Sequence, residues 1–223
     1  MTERQGPVWG ILLAAGSGRR FGSGKQFTEV RGQRLVDLAL RATSRACDAV
    51  VLVLPPGVAW DGAPVARVVA GGPSRTASVR AGLGEVPPDA AIVVVHQAAN
   101  PLATQALFDA VLEAVWGGAD AAVPGLTPAD VVRRVEGSRM LEDVGRDDLV
   151  IVQTPGAFRA EILRAAHASG AEAVEDTALV AALGVTVTVV EGDPRNVHVA
   201  TPTDLSIVGA LLEGAVAEAR HGC

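Results

Sequence analysis

The sequence is poor in cysteine and in aromatic residues. Only two of its 223 residues are cysteines, and 3% are aromatic. Cys47 and Cys223 supply neither a disulfide framework nor a C-x-x-C metal site. Such sparse cysteine usage is typical of proteins in a reducing compartment, and we expect a cytoplasmic protein.

Basic charge and long apolar segments are also missing. The formal net charge is −6, whereas proteins that bind nucleic acids generally carry a basic surface. No apolar run approaches the roughly 20 residues that a membrane-spanning helix needs. The apolar stretch 9–15 lacks the basic start and the cleavage site of a signal peptide. We therefore expect neither nucleic acid nor membrane as a partner, and any anion must be met by local charge.

The most informative stretch is LLAAGSGRRFGSGKQ, residues 12–26. It follows the apolar run Val8–Leu13, which has the length of a buried strand. Small residues at the carboxyl end of a parallel strand let main-chain N–H groups approach phosphate oxygens. Arg19, Arg20 and Lys25 add positive charge, and Lys25 is the only lysine in the chain. The stretch predicts a cradle for a triphosphate.

Neither of the common phosphate-binding motifs fits this stretch. Gln26 follows Lys25 where G-x-x-x-x-G-K-[ST] requires serine or threonine, and Phe21 replaces the third glycine of G-x-G-x-x-G. Two interpretations remain open. The loop either binds phosphate by another route or is only a tight turn.

Apolar runs of strand length alternate with amphipathic segments along the chain. Strands are predicted at 8–13, 49–54, 65–69, 90–95, 121–123 and 185–190, with the pattern resuming at 149–152, and helices at 33–47, 76–83, 104–116, 159–168, 175–183 and 203–220. This alternation predicts one α/β domain over residues 1–223, built on a doubly wound, mostly parallel sheet.

One excursion interrupts that pattern between about residues 124 and 149. Residues 131–135 and 140–142 are predicted to form two short strands around a turn. A two-stranded hairpin with so little apolar area cannot stabilise itself. We therefore expect an arm that packs against a second copy of the chain and forms a homodimer.

The carboxyl ends of the parallel strands should bring four segments together, at 14–25, 71–78, 96–101 and 191–198. Their motifs occur in order as AAGSGRR before KQF, GGPSRTASVRAGL, QTP, and EGDPRN before TPTDL. With these motifs, nearly the whole chain resembles the 2-C-methyl-D-erythritol 4-phosphate cytidylyltransferases and the related ribitol-phosphate cytidylyltransferases.

The resemblance implies a Rossmann-like nucleotidyltransferase of isoprenoid biosynthesis. Such an enzyme transfers CMP from CTP to a small phosphorylated polyol, releases pyrophosphate, and uses Mg²⁺ or another divalent cation. It implies nucleotide binding by Ala14, Ala15, Gly16, Ser17, Gly18, Arg19, Gly72 and Ser78, catalysis by Arg20 and Lys25, and acceptor binding by Asn100, Arg146, Asn196 and His198. Phosphoryl-type transfer needs positioning and charge stabilisation more than a covalent catalyst, which suits a chain without a convincing nucleophile.

The chain departs from the family pattern mainly on the metal and acceptor side. The family usually reads HDAARP where residues 96–101 read HQAANP. Gln97 therefore replaces the aspartate expected at Mg²⁺ and offers only a neutral oxygen, which leaves the metal ligands unassigned. Asn100 replaces an acceptor-binding arginine, and His198 replaces a lysine. Smaller departures are Val131 for threonine and Gly24 for proline.

Three carboxylates are alternatives to the missing aspartate. Asp130, Asp176 or Asp193 could give a substitute metal oxygen, or each could be a surface or capping carboxylate. Protonated His198 could pair with an acceptor phosphate, and His96 is expected to order its loop rather than act as a base.

Two main functions stay open, besides transferase chemistry with another base or a sugar phosphate. The first is an active CTP-dependent enzyme that acts on methylerythritol phosphate or on another phosphate or phosphonate acceptor. The second is a catalytically impaired nucleotide-binding homologue, which the replacements at Gln97 and Asn100 favour.

Overall fold

The structure is a computed structural model that describes residues 6–16 and 24–221, with side chains to residue 214. Its elements are β1 Val8–Leu13, β2 Glu29–Val30, β3 Gln33–Arg34, α1 Leu35–Ala46, β4 Ala49–Leu54, β5 Arg67–Ala70, α2 Arg75–Gly84, β6 Ile92–Gln97, α3 Gln105–Trp116, β7 Ala121–Leu126, β8 Val132–Glu136, β9 Arg139–Val144, β10 Ile151–Val152, β11 Gly156–Arg159, α4 Ala160–Ala168, α5 Asp176–Ala181, β12 Val187–Glu191 and α6 Pro202–His221. Short 3₁₀ helices lie at Lys25–Phe27 and Arg146–Asp148.

An eight-stranded sheet carries the domain. β1 pairs in parallel with β4 on one side and β6 on the other, and β5 extends the sheet in parallel beyond β4. β12 pairs in parallel with β7. The prediction of a mostly parallel α/β sheet is confirmed.

The part of the sheet between β6 and β7 was not predicted. β11 lies there and runs antiparallel to both, with Ala157 opposite Ala122 on one side and Val94 on the other. β10 continues the same antiparallel pairing along β7. β11 has only four residues, GAFR, which is too short for a recognisable apolar pattern. Pairing on both edges stabilises this strand where its own sequence does not.

Helices cover both faces of the sheet, because successive strand residues point to opposite sides. Val94 packs in a cluster with α1 and α3, whereas Val93 and Val95 pack with α2, α4 and α5. A third cluster joins α6 to the start of α1 through Val208 and Leu35. The helix predicted from residue 33 begins at Leu35, because the two preceding residues pair with β2.

The predicted excursion is a hairpin of β8 and β9, which form a two-stranded sheet of their own. Val131, Val135 and Met140 are each more than 60% exposed there. Its role in a homodimer stays a prediction. No helix in the described part of the chain is long and apolar enough to cross a membrane.

The inserted strand gives a direct stability test at Phe158, which is 2% exposed. We expect Phe158→Ala to lower the free energy of unfolding by about 3–5 kcal/mol, because it leaves a cavity in the core. Urea denaturation measures this. Val189→Ala, on an edge strand and 49% exposed in the wild type, is the control and should stay within about 0.5 kcal/mol. Equal losses for both variants would contradict the packing described.

Candidate active site

Two adjoining cavities open at the carboxyl ends of β1 and β6, with volumes of about 400 and 390 Å³. The first cavity is lined by Leu13, Ala14, Ala15, Gly16, Lys25, Gln26, Gly72, Pro73, Ser74, Arg75, Ser78, Gln97, Ala98, Ala99 and His198. The second is lined by Gln97, Asn100, Ile151, Val152, Gln153, Thr154, Glu175, Pro194, Asn196, Val197 and His198. Gln97 and His198 belong to both, so the two cavities form one divided cleft.

Main chain and small side chains form one wall of the first cavity. Ala14 N donates to Val53 O at 2.8 Å, which ties the start of this wall to the sheet. A Cβ at Gly71 would lie 2.3 Å from the Ala15 Cβ, and one at Gly72 would lie 2.4 Å from the Ala77 Cβ. Both distances are far below van der Waals contact. The close approach of the 71–72 segment to Ala15 and to α2 therefore requires glycine.

Ser78 lies on the same wall, in the first turns of α2, and is 5% exposed. Its hydroxyl donates to Ser74 O at 2.9 Å, and the Ser74 side chain in turn caps the helix by accepting from Ala77 N. Because the proton of Ser78 is used within the helix, its oxygen is left to accept from a ligand.

Lys25 brings a positive charge to the first cavity. It begins a short 3₁₀ helix after Gly24, whose φ of 76° is readily adopted by glycine. Its ammonium donates to Val199 O, in the segment that leads into α6. Of the predicted cradle, Ala14, Ala15, Gly16 and Lys25 line the cavity, whereas Ser17, Gly18, Arg19 and Arg20 lie outside the described residues.

His96 fixes the loop that follows β6. The ring is fully buried, with Nε2 3.1 Å from Asn100 O and Nδ1 3.1 Å from Thr154 Oγ1. Because a carbonyl oxygen can only accept, Nε2 carries the proton and Nδ1 accepts from the threonine hydroxyl. Burial lowers the pKa of His96 to about 3. His96 is therefore neutral and orders the loop, as expected.

Asn100 and Asn196 form a buried amide network beneath the second cavity. They are 3% and 2% exposed. The Asn100 amide donates to Asn196 O at 3.3 Å, and its oxygen accepts from His198 Nδ1 at 3.0 Å. Asn196 Nδ2 donates to Thr154 O at 2.8 Å. Both asparagines line the second cavity while these polar atoms bond within the protein, and their part in acceptor binding stays a prediction.

Few charges face the second cavity. Among the described residues that line it, only His198 and Glu175 can carry charge, and burial raises the pKa of Glu175. Arg146, which was predicted at the acceptor, does not line either cavity of its own chain. It lies in the arm region and donates to Ala129 O at 2.8 Å. Its role at the acceptor stays a prediction.

The alternative metal ligands do not converge on the cleft. The possibility that Asp176 binds a metal is contradicted, because its carboxylate is 2% exposed and pairs with Arg75 and His167. Asp193 accepts from Arg195 N at 2.8 Å, and Asp130 is exposed beside the arm. In the described part of the chain, no three His, Cys, Asp or Glu residues cluster as a metal site. The first cavity offers a divalent ion the amide oxygen of Gln97, and no described carboxylate lines it.

Several cleft residues had no role assigned from the sequence. From the sequence, Arg75 was noted only as part of the GGPSR motif, and Glu175 only as part of a predicted helix. Gln153, in the QTP motif, holds the segment after β12 by donating to Asp193 O at 2.9 Å and accepting from Asp193 N at 3.0 Å. In the sequence, this residue stands out only through the short QTP motif to which it belongs.

Comparison with known proteins decides the family. The sequence model of IspD, 2-C-methyl-D-erythritol 4-phosphate cytidylyltransferase, matches residues 8–214. The chain belongs to the IspD family. The 2-C-methyl-D-erythritol 4-phosphate cytidylyltransferase of Deinococcus radiodurans is 40% identical, over 90% of this chain and 88% of its own. The crystal structure of the enzyme of the same name from Thermus thermophilus superposes with a TM-score of 0.80 at 35% identity, over 93% of this chain and 98% of that one.

Some IspD relatives are longer. The bifunctional IspD/IspF enzyme of Anaeromyxobacter dehalogenans is 42% identical over 94% of this chain, and the chain spans 58% of that relative's length. Family membership confirms the resemblance drawn from the motifs. Members of the IspD family are cytidylyltransferases, so the chain is assigned to the nucleotidyltransferases.

Gly71 tests the tight wall of the first cavity. We expect Gly71→Ala to cost about 1–3 kcal/mol of unfolding free energy, because the added methyl group overlaps the Ala15 side chain. Hydrogen exchange at residues 14–16 should also speed up. Gly84→Ala is the matched control, since its Cβ meets nothing within 4 Å, and it should be neutral or slightly stabilising. A Gly71→Ala protein with unchanged stability and exchange would refute the close approach.

Proposed function

We propose that the protein transfers CMP from CTP to 2-C-methyl-D-erythritol 4-phosphate, or to a closely related small phosphorylated polyol, and releases pyrophosphate. The observation that carries this proposal is the first cavity of a chain that belongs to the IspD family. There a side-chain-poor wall, a serine acceptor and the only lysine of the chain face one space of about 400 Å³.

The base of the nucleotide would lie against Gly72 and Ser78. Because the Ser78 oxygen is available as an acceptor, it suits the exocyclic amine of cytosine, which donates. Gly71 and Gly72 carry no side chain, so the base would lie directly against the main chain of this wall. The sugar and phosphates would then extend along Ala14, Ala15 and Gly16 toward Lys25.

The reaction is a substitution at the α-phosphorus of CTP. An oxygen of the acceptor phosphate forms the new P–O bond while the bond to the pyrophosphate oxygen breaks. Negative charge grows on the transferred group and on the leaving pyrophosphate, and Lys25 would stabilise it, helped by Arg20 as the family resemblance implies. The neutral, buried His96 takes no part as a general base.

We propose Mg²⁺ as the divalent cation. When bound, it would neutralise part of the negative charge of the triphosphate. The donor set fits an ion that arrives with the triphosphate, since Gln97 supplies only a neutral oxygen and no described carboxylate lines the first cavity. The protein's own hold on the ion is therefore weaker than an aspartate at position 97 would give.

The acceptor would occupy the second cavity. His198 lines both cavities. Among the described residues that line the second cavity, it is the one that can carry positive charge, and it does so when protonated. Asn100 and Asn196 shape the floor, and Arg146 would be delivered by the arm of a second copy in a cytoplasmic homodimer. The exposed apolar side chains of the hairpin support that dimer, because apolar surface of this kind is usually covered.

A second candidate rests on the small number of charged residues in the second cavity. Gln97 and Asn100 remove one negative and one positive charge relative to the usual family pattern. Such a cavity favours a different phosphate or phosphonate acceptor, or a homologue that binds the nucleotide without turnover. Release of pyrophosphate from CTP, measured with a panel of acceptors, separates these functions.

Lys25 provides the test of catalysis. Purified protein with CTP, Mg²⁺ and methylerythritol phosphate should release pyrophosphate, and Lys25→Ala should lower kcat about 10²–10³-fold through lost charge stabilisation. Arg67→Ala is the control. Arg67 lies on the edge strand β5, where its exposed side chain pairs with Glu85, so its removal should leave the rate unchanged. CTP binding without turnover for any acceptor would instead favour the binding homologue.

Gln97 provides the test of metal binding. We expect Gln97→Asp to lower the Mg²⁺ concentration for half-maximal rate at least about tenfold relative to Gln97→Asn. The two variants differ only by the charge, and a full charge in contact with the ion is worth more than about 1.4 kcal/mol at a protein surface. Equal Mg²⁺ requirements would place the ion away from position 97. Asn100→Arg, which would restore the family's arginine, is not used as a companion variant. Position 100 is 3% exposed, so a larger, charged side chain would disturb the fold there.

A further inference from the structure

We infer that Asp176, with His167 behind it, is a positioning residue that holds the guanidinium of Arg75 on the wall of the first cavity. The inference rests on the proposed function, because it takes the first cavity as the CTP site. It assigns a role in CTP binding to two buried side chains that do not themselves line that cavity.

Arg75 is placed where an arginine needs support. It is the first residue of α2 and lines the first cavity beside Gly72 and Ser78. The amino end of a helix carries partial positive charge, which disfavours a cation there. Its side chain is only 23% exposed, so solvent compensates little of that charge. A fixed negative partner is therefore required to keep the guanidinium in this place.

Asp176 is that partner. Its Oδ2 lies 2.7 Å from Arg75 Nη2, and its Oδ1 lies 3.0 Å from His167 Nε2. A carboxylate accepts from both, so the His167 proton is on Nε2. Burial alone would raise the pKa of Asp176, but the hydrogen bond from His167 and the charge of Arg75 hold that pKa below its ordinary value. The carboxylate is thus ionised and fixed at both oxygens.

The remaining donors of Arg75 point to a ligand. Within the described part of the chain, Nε and Nη1 of Arg75 are buried and have no hydrogen-bond partner. Buried donors in folded proteins are nearly always paired. A nucleotide in the first cavity would offer acceptors on its base and sugar. Arg75, held through Nη2 alone, keeps two donors for that purpose.

A neighbouring ion pair also ties α2 to the chain just before α5. Arg80, also on α2, reaches the segment before α5 by donating from Nη2 to Gly170 O, Ala171 O and Glu172 Oε1 at 2.7–3.1 Å. Arg80 does not line either cavity. The Arg75–Asp176 pair, with Asp176 only 2% exposed, adds desolvation cost beside this tie. Its distinctive feature is that one partner faces the nucleotide space.

A double-mutant cycle tests the inference. Steady-state rates of pyrophosphate release give kcat and both KM values for wild type, Arg75→Met, Asp176→Asn and the double variant. We expect Asp176→Asn to raise KM for CTP about tenfold, as loss of a charged hydrogen bond does, with KM for the acceptor within about twofold. The double variant should bind CTP no worse than Arg75→Met, because Asp176 acts through Arg75. Arg80→Gln is the matched control and should leave both KM values unchanged.

Variants of His167 give a second test, which remains usable if Asp176→Asn does not fold. His167→Gln keeps a donor near Nε2 and should keep KM for CTP near the wild-type value, whereas His167→Leu should raise it. Multiplicative effects of Asp176→Asn and Arg75→Met, or equal behaviour of His167→Gln and His167→Leu, would overturn the inference. If the wild type binds CTP by calorimetry but never turns over, the proposed function fails, and the same cycle read as Kd for CTP still decides the inference.

Discussion

The parallel pairing of β1 between β4 and β6 is the constraint on which the cleft depends. It sets Leu13 beside Val53 on one strand and Gln97 on the other. Beyond the last paired residues, Ala14 N still bonds to Val53 O and Ala98 N to Leu13 O. These bonds fix the start of the glycine-rich loop and the start of the HQAANP loop at one edge. Both cavities open there because the three strands end in register.

The two cavities differ in the polar and charged groups that line them. The first keeps the features expected of a nucleotide site, with small residues, a serine acceptor and Lys25. The second is built on amides that bond to one another, Asn100 with Asn196, and on His198. Of the replaced positions named from the sequence, Asn100 lines the second cavity, and Gln97 and His198 line both.

The sequence predicted the elements that carry a strong local pattern. β1, β4 and β6 are continuous apolar runs because both of their faces are buried, and α1 and α3 show clear amphipathic spacing. β11 escaped because its four residues depend on pairing with two other strands. The motifs located the cleft, but the partners of its polar residues were hidden. Arg75 and Asp176 are 101 positions apart, and Asn100 and Asn196 are 96 apart. Neither spacing has a periodic signature.

The central claim is that the first cavity is the site where CTP binds, and a crystal structure of the protein with CTP and Mg²⁺ tests it most directly. The account predicts the base between Gly72 and Ser78, with the triphosphate running along residues 14–16 toward Lys25. A nucleotide bound elsewhere on the protein, or a base held far from Ser78, would contradict it.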